Sequence, residues 1–194
     1  MKRAAVFIII GCMLLASSAV LFIYNEVGSF RAAEESMEIL SSLEEEMLSD
    51  TPGTIDEYEG VMPTRLVNGI NMVGVVSVPS VGIEIPVAAE WNYKNLKKSA
   101  CRYSGTAKNG RLIILAHNYR QHFGSLGKAE EGDEVQFLDV NGTLYVYKIT
   151  DKEILGKYEL DRLTDNDSDL TLFTCTYGGK KRVVVRCQKQ HDKE

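Results

Sequence analysis

Cysteine, proline and histidine are scarce in this 194-residue chain, which has 4 Cys, 4 Pro and 3 His. Four irregularly spaced cysteines are too few for a disulfide scaffold, and without a Cys-x-x-Cys pair there is no signature of a structural zinc site. Each cysteine is therefore judged singly. A basic surplus is also missing: 22 Lys+Arg stand against 27 Asp+Glu, a net charge of −5. No basic stripe is present to neutralise phosphates, which argues against a nucleic-acid partner. The chain shows no internal repeat and no low-complexity tract. With 44% hydrophobic residues, it is neither collagenous nor wholly disordered, and its length suits one globular domain with an appendage.

Charge is absent altogether from Ala4 to Tyr24, an apolar run preceded by Lys2 and Arg3. A run of this length spans a hydrocarbon core roughly 30 Å thick. The positive-inside rule then places residues 1–25 as a cytoplasmic amino terminus and membrane anchor, with the rest of the chain extracytoplasmic. Ser17-Ser18-Ala19 also resembles a signal-peptidase site, but Val20 to Tyr24 continue the apolar run beyond it, which favours an uncleaved anchor.

Residues 26–54 follow as a helical, acidic stalk or linker. Phe30, Ala33, Met37, Leu40, Leu43 and Met47 recur at three- and four-residue steps against a face of glutamates, and Asp50-Thr51-Pro52-Gly53 ends the helix. A solvated stalk is the expectation, a short coiled coil the alternative. From 55 to 194 the pattern becomes short β-branched runs between turn residues: Met72 to Val78, Val81 to Val87, Leu112 to Ala116, Val135 to Leu138, Leu144 to Ile149, Leu170 to Cys175 and Val183 to Cys187. They predict a mostly β extracytoplasmic domain, a compact barrel or sandwich, with short helices near 92–99 and 123–129.

Cys12 lies in the membrane run and His191 in a polar tail, so Cys101, Cys175 and Cys187 remain against His117 and His122. Cys175 ends an apolar strand and precedes Thr176-Tyr177-Gly178-Gly179-Lys180-Lys181, a hairpin turn. A six-residue loop sets Cys175 opposite Arg182, with side chains on one face about 5 Å apart. Arg186 shares that face but falls opposite Thr171, about 13 Å along the strand. A guanidinium beside a thiol lowers its pKa or stabilises the oxyanion formed when sulfur attacks a carbonyl, and the Thr176 backbone donor is a second oxyanion candidate. His117, at the end of Leu112 to Ala116, is placed for general acid and base work. Structural residues in a β domain are the competing reading.

Thr171-Leu172-Phe173-Thr174-Cys175 resembles the Thr-Leu-x-Thr-Cys motif of sortases, the cysteine transpeptidases that anchor surface proteins on Gram-positive cells. Arg182 with Val183-Val184-Val185 resembles the family's arginine, Ala116-His117-Asn118 its Gly-His-Asn strand end, and 74–87 its first two strands. The resemblance implies an eight-stranded sortase β-barrel over 55–194. It further implies that Cys175 attacks the Thr carbonyl of a Leu-Pro-x-Thr-Gly-like sorting signal, with His117 as acid and base and Arg182 on the oxyanion. Thr174, Thr176 and Asn118 become candidates for substrate or oxyanion contact. The implied partners are sorting-signal-bearing surface proteins, a peptidoglycan precursor or other amine acceptor, and the membrane; no cofactor is implied. Ala116 replaces the usual Gly. The short separation of His117 from Cys175 departs from class B, although Ala116-His117-Asn118 and 122–126 look class B-like, so class B-like and class D-like readings both stand. A class C lid is missing. A membrane-tethered binding module without catalysis, or a thiol hydrolase of the same fold, are the rival functions.

Among the remaining residues, Cys101 and Cys187 read as half-buried packing residues and His122 as a loop residue. Trp91 and Tyr93 read as core in preference to a peptide groove. Asp165-Asn166-Asp167-Ser168-Asp169 imitates the start of a calcium loop but lacks the glycine and closing glutamate, so no metal is assigned.

Overall fold

A computed structural model describes residues 2–48, 62–159, 161–165 and 167–190. The expected domain start at 55 and His191 fall outside them. The chain divides into a unit ending at Arg31 and a second unit from Ala32 onward. The first unit is helical. It belongs to α1 (Lys2–Leu48) and exposes its large apolar side chains from Val6 to Tyr24, long and apolar enough to cross a membrane.

The second unit is mostly β. Its strands are β1 (Arg65–Val67), β2 (Ile70–Val78), β3 (Ile83–Ala88), β4 (Ala100–Thr106), β5 (Gly110–Leu115), β6 (Glu134–Asp139), β7 (Leu144–Gly156), β8 (Leu170–Cys175) and β9 (Lys181–Lys189). Two one-turn helices, α2 (Tyr93–Leu96) and α3 (Asp161–Thr164), lie in its connections, and Leu126–Lys128 forms a 3-10 turn. Strands run in the order β1-β2-β3-β4-β5-β8-β9-β7-β6, and β2 also pairs with β6. Eight strands thus close on themselves as a ring, with β1 added outside through the Asn68-Gly69 turn, both residues at positive φ.

Closure depends on a glycine. Gly74 faces Asp139 across the β2–β6 seam at φ 154°, where an added Cβ would lie 2.1 Å from the Leu138 carbonyl oxygen. On the other side of the seam, the Asp139 carboxylate accepts the backbone N–H groups of Asn141 and Thr143 and fixes the β6–β7 turn.

Period-two alternation sorts the side chains into layers. Val76, Ile85, Ile114, Phe137, Tyr147, Leu172 and Val185 point into the ring and form the main core. Outside it, Ile113, Phe173 and Val184 from β5, β8 and β9 pack with Leu155 and with Leu163 of α3. A third cluster covers β2–β4 and draws in Ile39 and Leu43 of α1. The solvated-stalk expectation is therefore corrected for 32–48. Ala32, Ala33, Ser36, Ile39 and Leu43 are buried, and Lys98 pairs with Glu35 at 3.3 Å. The apolar stripe was real, but it serves as a packing face, shifted so that Met37 is exposed while Ser36 and Ile39 are buried.

Candidate active site

Cys175 closes β8, Arg182 is the second residue of β9, and His117 follows two residues after the end of β5. The antiparallel register pairs Cys175 with Arg182 and Thr171 with Arg186, as the loop length predicts. Gly178 and Gly179, both at positive φ, close the intervening turn, and the Gly179 N–H bonds the Thr176 carbonyl at 2.8 Å. On the other flank, parallel pairing sets Leu115 beside Phe173, and Ala116 N–H continues the ladder to the Phe173 carbonyl at 3.3 Å. The Thr174 hydroxyl donates to the Ala116 carbonyl at 2.8 Å. Carried two residues beyond the last pair, the same register would set His117 level with Cys175. Alternation then gives the face: Leu115, Phe173 and Val184 belong to the outer cluster, and His117, Cys175 and Arg182 each lie two residues from one of them. Cys175 and Arg182 stand side by side across β8 and β9, and the register, continued past the end of β5, would complete a row with His117.

Burial tunes the row. Cys175, His117 and Arg182 are all half-buried. Desolvation, aided by the positive charge of Lys97, pushes the His117 pKa below its ordinary value of 6.5. The ring is thus neutral near pH 7 and free to take a proton. One terminal nitrogen of Arg182 is buried without a hydrogen-bond partner, a donor held ready for an anion.

Arg186 is already engaged. Its guanidinium bonds Glu153, with Nε to Oε1 at 3.2 Å, and donates to the Arg162 carbonyl at 2.8 Å. Arg162 in turn meets Glu153 at 2.5 Å and Glu159 at 3.3 Å. This clamp ties the β7–β8 connection to the outer face, where Leu163 is buried against Phe173 and Val184. Arg182→Lys is expected to lower turnover at least a hundredfold, since an ammonium lacks the guanidinium fork. Arg186→Ala should instead leave Glu153 to Arg162 alone and lower the melting temperature by roughly 2–5 °C. Parallel calorimetry and turnover assays would separate them; a normal Arg182→Lys enzyme would remove Arg182 from the site.

Other expected site residues are placed differently. The Thr176 N–H donates to the Lys181 carbonyl at 2.8 Å, so hairpin closure occupies the backbone donor read as an oxyanion contact. Thr174 is buried and its hydroxyl is used in the strand ladder, so it joins β8 to the His117 strand instead of facing the substrate. Asn118 lies beside His117 and lines a cleft of about 750 Å³ with Glu84, Arg120, Lys128 and α1 residues. Trp91 and Tyr93 are exposed, against the core reading.

His122 also departs from expectation, being wholly buried although it sits in a connection. Tyr119 lies between the two histidine rings, 4.8 Å from His117 and 5.5 Å from His122. Burial first, then the neighbouring His117, push the His122 pKa down to about 4, the Ala32 carbonyl partly opposing them. Neither ring nitrogen has a partner of hydrogen-bond geometry. Because the folded state resists protonation, the His122 contribution is complete above the ordinary value of 6.5 and is lost as pH falls from 6.5 toward 4. The shift corresponds to about 3 kcal/mol at most. Chemical denaturation between pH 7 and 4 should show this loss, and His122→Phe should flatten it; an unchanged slope would refute the assignment.

Cys101 and Cys187 are free and fully buried, more so than expected. They sit in different clusters, Cys101 outside the ring and Cys187 within it. Burial pushes each thiol up to about 12.

Known proteins can be set beside this geometry. Sortase A of Bacillus anthracis is 27% identical over 122 residues, 59% of this chain and 58% of that protein. The matched region thus spans less than two thirds of the relative. The solved structure of a Clostridium perfringens Sortase D5 transpeptidase superposes with a TM-score of 0.59 at 21% identity, covering 81% of this chain and 97% of that one. Sortase A from Corynebacterium diphtheriae gives 0.57 at 19% identity, over 64% and 63% of the two chains. At these identities the solved structures speak for the fold. A sortase domain model matches residues 76–190, more than half of the 194 residues and all of the strands that carry the row, and on that match the chain belongs to the sortase family of cysteine transpeptidases.

Proposed function

We propose that this protein is a membrane-anchored transpeptidase that cleaves a Leu-Pro-x-Thr-Gly-like signal in a surface protein and joins the acyl part to a cell-wall amine. What supports the reading is the pairing of Cys175 with Arg182 across β8 and β9, with His117 two residues past the end of the neighbouring β5. His117, neutral before substrate arrives, takes the Cys175 proton as sulfur attacks the Thr carbonyl carbon. The carbonyl oxygen gains the negative charge, and the unpartnered Arg182 nitrogen donates to it. As the C–N bond breaks, the imidazolium gives its proton to the leaving Gly amine, and a thioester remains on Cys175. An acceptor amine then attacks the thioester, His117 removes its proton, and as the C–S bond breaks the imidazolium returns that proton to sulfur, restoring the thiol and the neutral ring. The thioester keeps the acyl group activated, so the route needs no nucleotide, metal or organic cofactor.

Residues 1–25 serve in this reading as the anchor, with Lys2 and Arg3 in the cytoplasm and the catalytic unit outside. The partners are sorting-signal-bearing proteins and a peptidoglycan precursor or another amine.

Intact-mass spectrometry tests the proposal directly. The protein is mixed with a panel of sorting-signal peptides, with and without excess amine. The expected result is an acyl increment that is absent from Cys175→Ala and is released by the amine as an amide. Release as acid alone, whatever the amine concentration, would mark a thiol hydrolase. Peptide binding without acylation would mark a binding module.

A further inference from the structure

The connection between β5 and β6 winds back on itself immediately after His117. The Phe123 N–H donates to the His117 carbonyl at 3.0 Å, and the Gly124 N–H to the Tyr119 carbonyl at 2.9 Å. A Cβ on Gly124 would stand 2.6 Å from that Tyr119 oxygen, so the tight winding requires glycine. Phe123 anchors the segment by being fully buried, and the Ser125 hydroxyl pins it to the β2–β3 connection by donating to the Val81 carbonyl at 3.0 Å. His117 and one wall of the adjoining cleft are thus built on a single fixed segment. Asn118, Arg120 and Lys128 of this segment line the cleft of about 750 Å³ together with Glu84 of β3 and uncharged residues of α1, a volume in the range of small-ligand sites. Neither the Arg120 nor the Lys128 side chain has a hydrogen-bond or ion-pair partner among the described residues.

We propose that this cleft receives the amine acceptor and holds it by an anionic group, a carboxylate or a phosphate, through Arg120 and Lys128. The inference rests on the transpeptidase reading above and deepens it by giving the acceptor a place and a charge. Direction is the first argument. In the proposed cycle the leaving and incoming amines both exchange their proton with His117, so the incoming amine comes up on the β5 side of Cys175, whereas Arg182 occupies the β9 side. Asn118 follows His117 directly, so the cleft opens about 4 Å further along the backbone. An acceptor with its amine at His117 therefore extends into it. Charge is the second argument. A peptide amine carries a carboxylate at its other end, and an activated sugar precursor carries phosphate; either suits two unpaired cations beside an amide donor. Glu84, the one carboxylate of the lining, makes the cleft fit a molecule with both an ammonium and an anion better than a polyanion.

Acylation and transfer can be timed separately in the full chain. Triglycine and triglycinamide differ in a carboxylate, and phosphoethanolamine and ethanolamine in a phosphate, so each pair of acceptors tests one source of the anion. At low ionic strength the acceptor carrying the recognised anion should have a KM about fivefold below that of its neutral counterpart, and added salt should erode the difference. Arg120→Gln combined with Lys128→Gln should bring that ratio to about one while the rate of Cys175 acylation stays within about twofold. Melting curves establish that the double variant is folded. A ratio near one for both pairs in the wild-type protein, or a ratio that survives the double substitution, would overturn the proposal and leave the transpeptidase intact. Acylation slowed as much as transfer would also overturn it, assigning the two cations to the donor peptide. Saturation-transfer NMR on Cys175→Ala reads binding of triglycine and phosphoethanolamine without any chemistry. If no peptide acylates Cys175 in the mass assay, the transpeptidase reading fails; binding that still depends on Arg120 and Lys128 would then mark an anion site of another purpose and overturn the acceptor assignment.

Discussion

Replacing His117 with alanine is expected to lower kcat/KM for transpeptidation by about a thousandfold, within the usual range for a lost general acid and base. The residue has two duties in the proposed cycle, and no neighbour takes over either. His122 is buried behind Tyr119, and its pKa near 4 makes it a weak base. The pH profile adds a second signature. Protonating His117 before substrate binds removes the acceptor for the Cys175 proton, so kcat/KM falls as pH falls through the lowered His117 pKa. Desolvation and Lys97 place that pKa below 6.5, so the acidic limb should begin below 6.5, and Lys97→Gln should move it upward. Stopped-flow acylation across pH 4.5–8 measures both. A limb unmoved by Lys97→Gln, or an active His117→Ala enzyme, would contradict the assignment.

Gly74→Ala should be among the most damaging substitutions outside the candidate site. The new Cβ would meet the backbone oxygen of Leu138 at 2.1 Å and the Phe137 ring at 2.9 Å. Backbone cannot rotate away as a flexible side chain does, so the β2–β6 pair must separate. Overpacking together with the unfavourable φ of 154° costs about 3 kcal/mol or more, equivalent to roughly 10 °C of melting temperature. Gly82→Ala is a fitting control, since Gly82 also has positive φ but has nothing within 4 Å of the added atom. Calorimetry of the pair separates φ strain from collision, and equal losses would show that the seam tolerates a side chain.

Local patterns exposed the strands whose apolar residues alternate, and the row depended on such strands. Leu170 to Cys175 matches β8 at both ends, and loop length alone fixed the Cys175–Arg182 register. β4 escaped notice because Ala-Cys-Arg-Tyr-Ser-Gly-Thr contains little aliphatic bulk, and its register shifts near Ser104 break the alternation. The second half of β7 is charged and mostly exposed; its pairing with β9, a tertiary matter, makes it a strand. Glu153 and Arg186 are 33 residues apart, so no sequence window contains their clamp. The α1 stripe was visible, but a stripe does not say whether solvent, a second helix or a sheet covers it. Trp91 and Tyr93 have the converse explanation. Aromatic residues are expected to be buried, and α2, only four residues long, leaves both rings outside.

The two buried thiols have a practical consequence. Near neutral pH almost none of the Cys101 or Cys187 population is thiolate, the form that alkylating agents and oxidants attack. Half-buried Cys175 therefore remains the one cysteine of the catalytic unit open to such reagents. Once Cys12, the exposed thiol of the apolar helix, is replaced, a thiol-specific label added in known amount becomes an active-site titrant, counting competent enzyme molecules one by one. Protection of the unit from that label by a bound peptide would measure occupancy without any turnover.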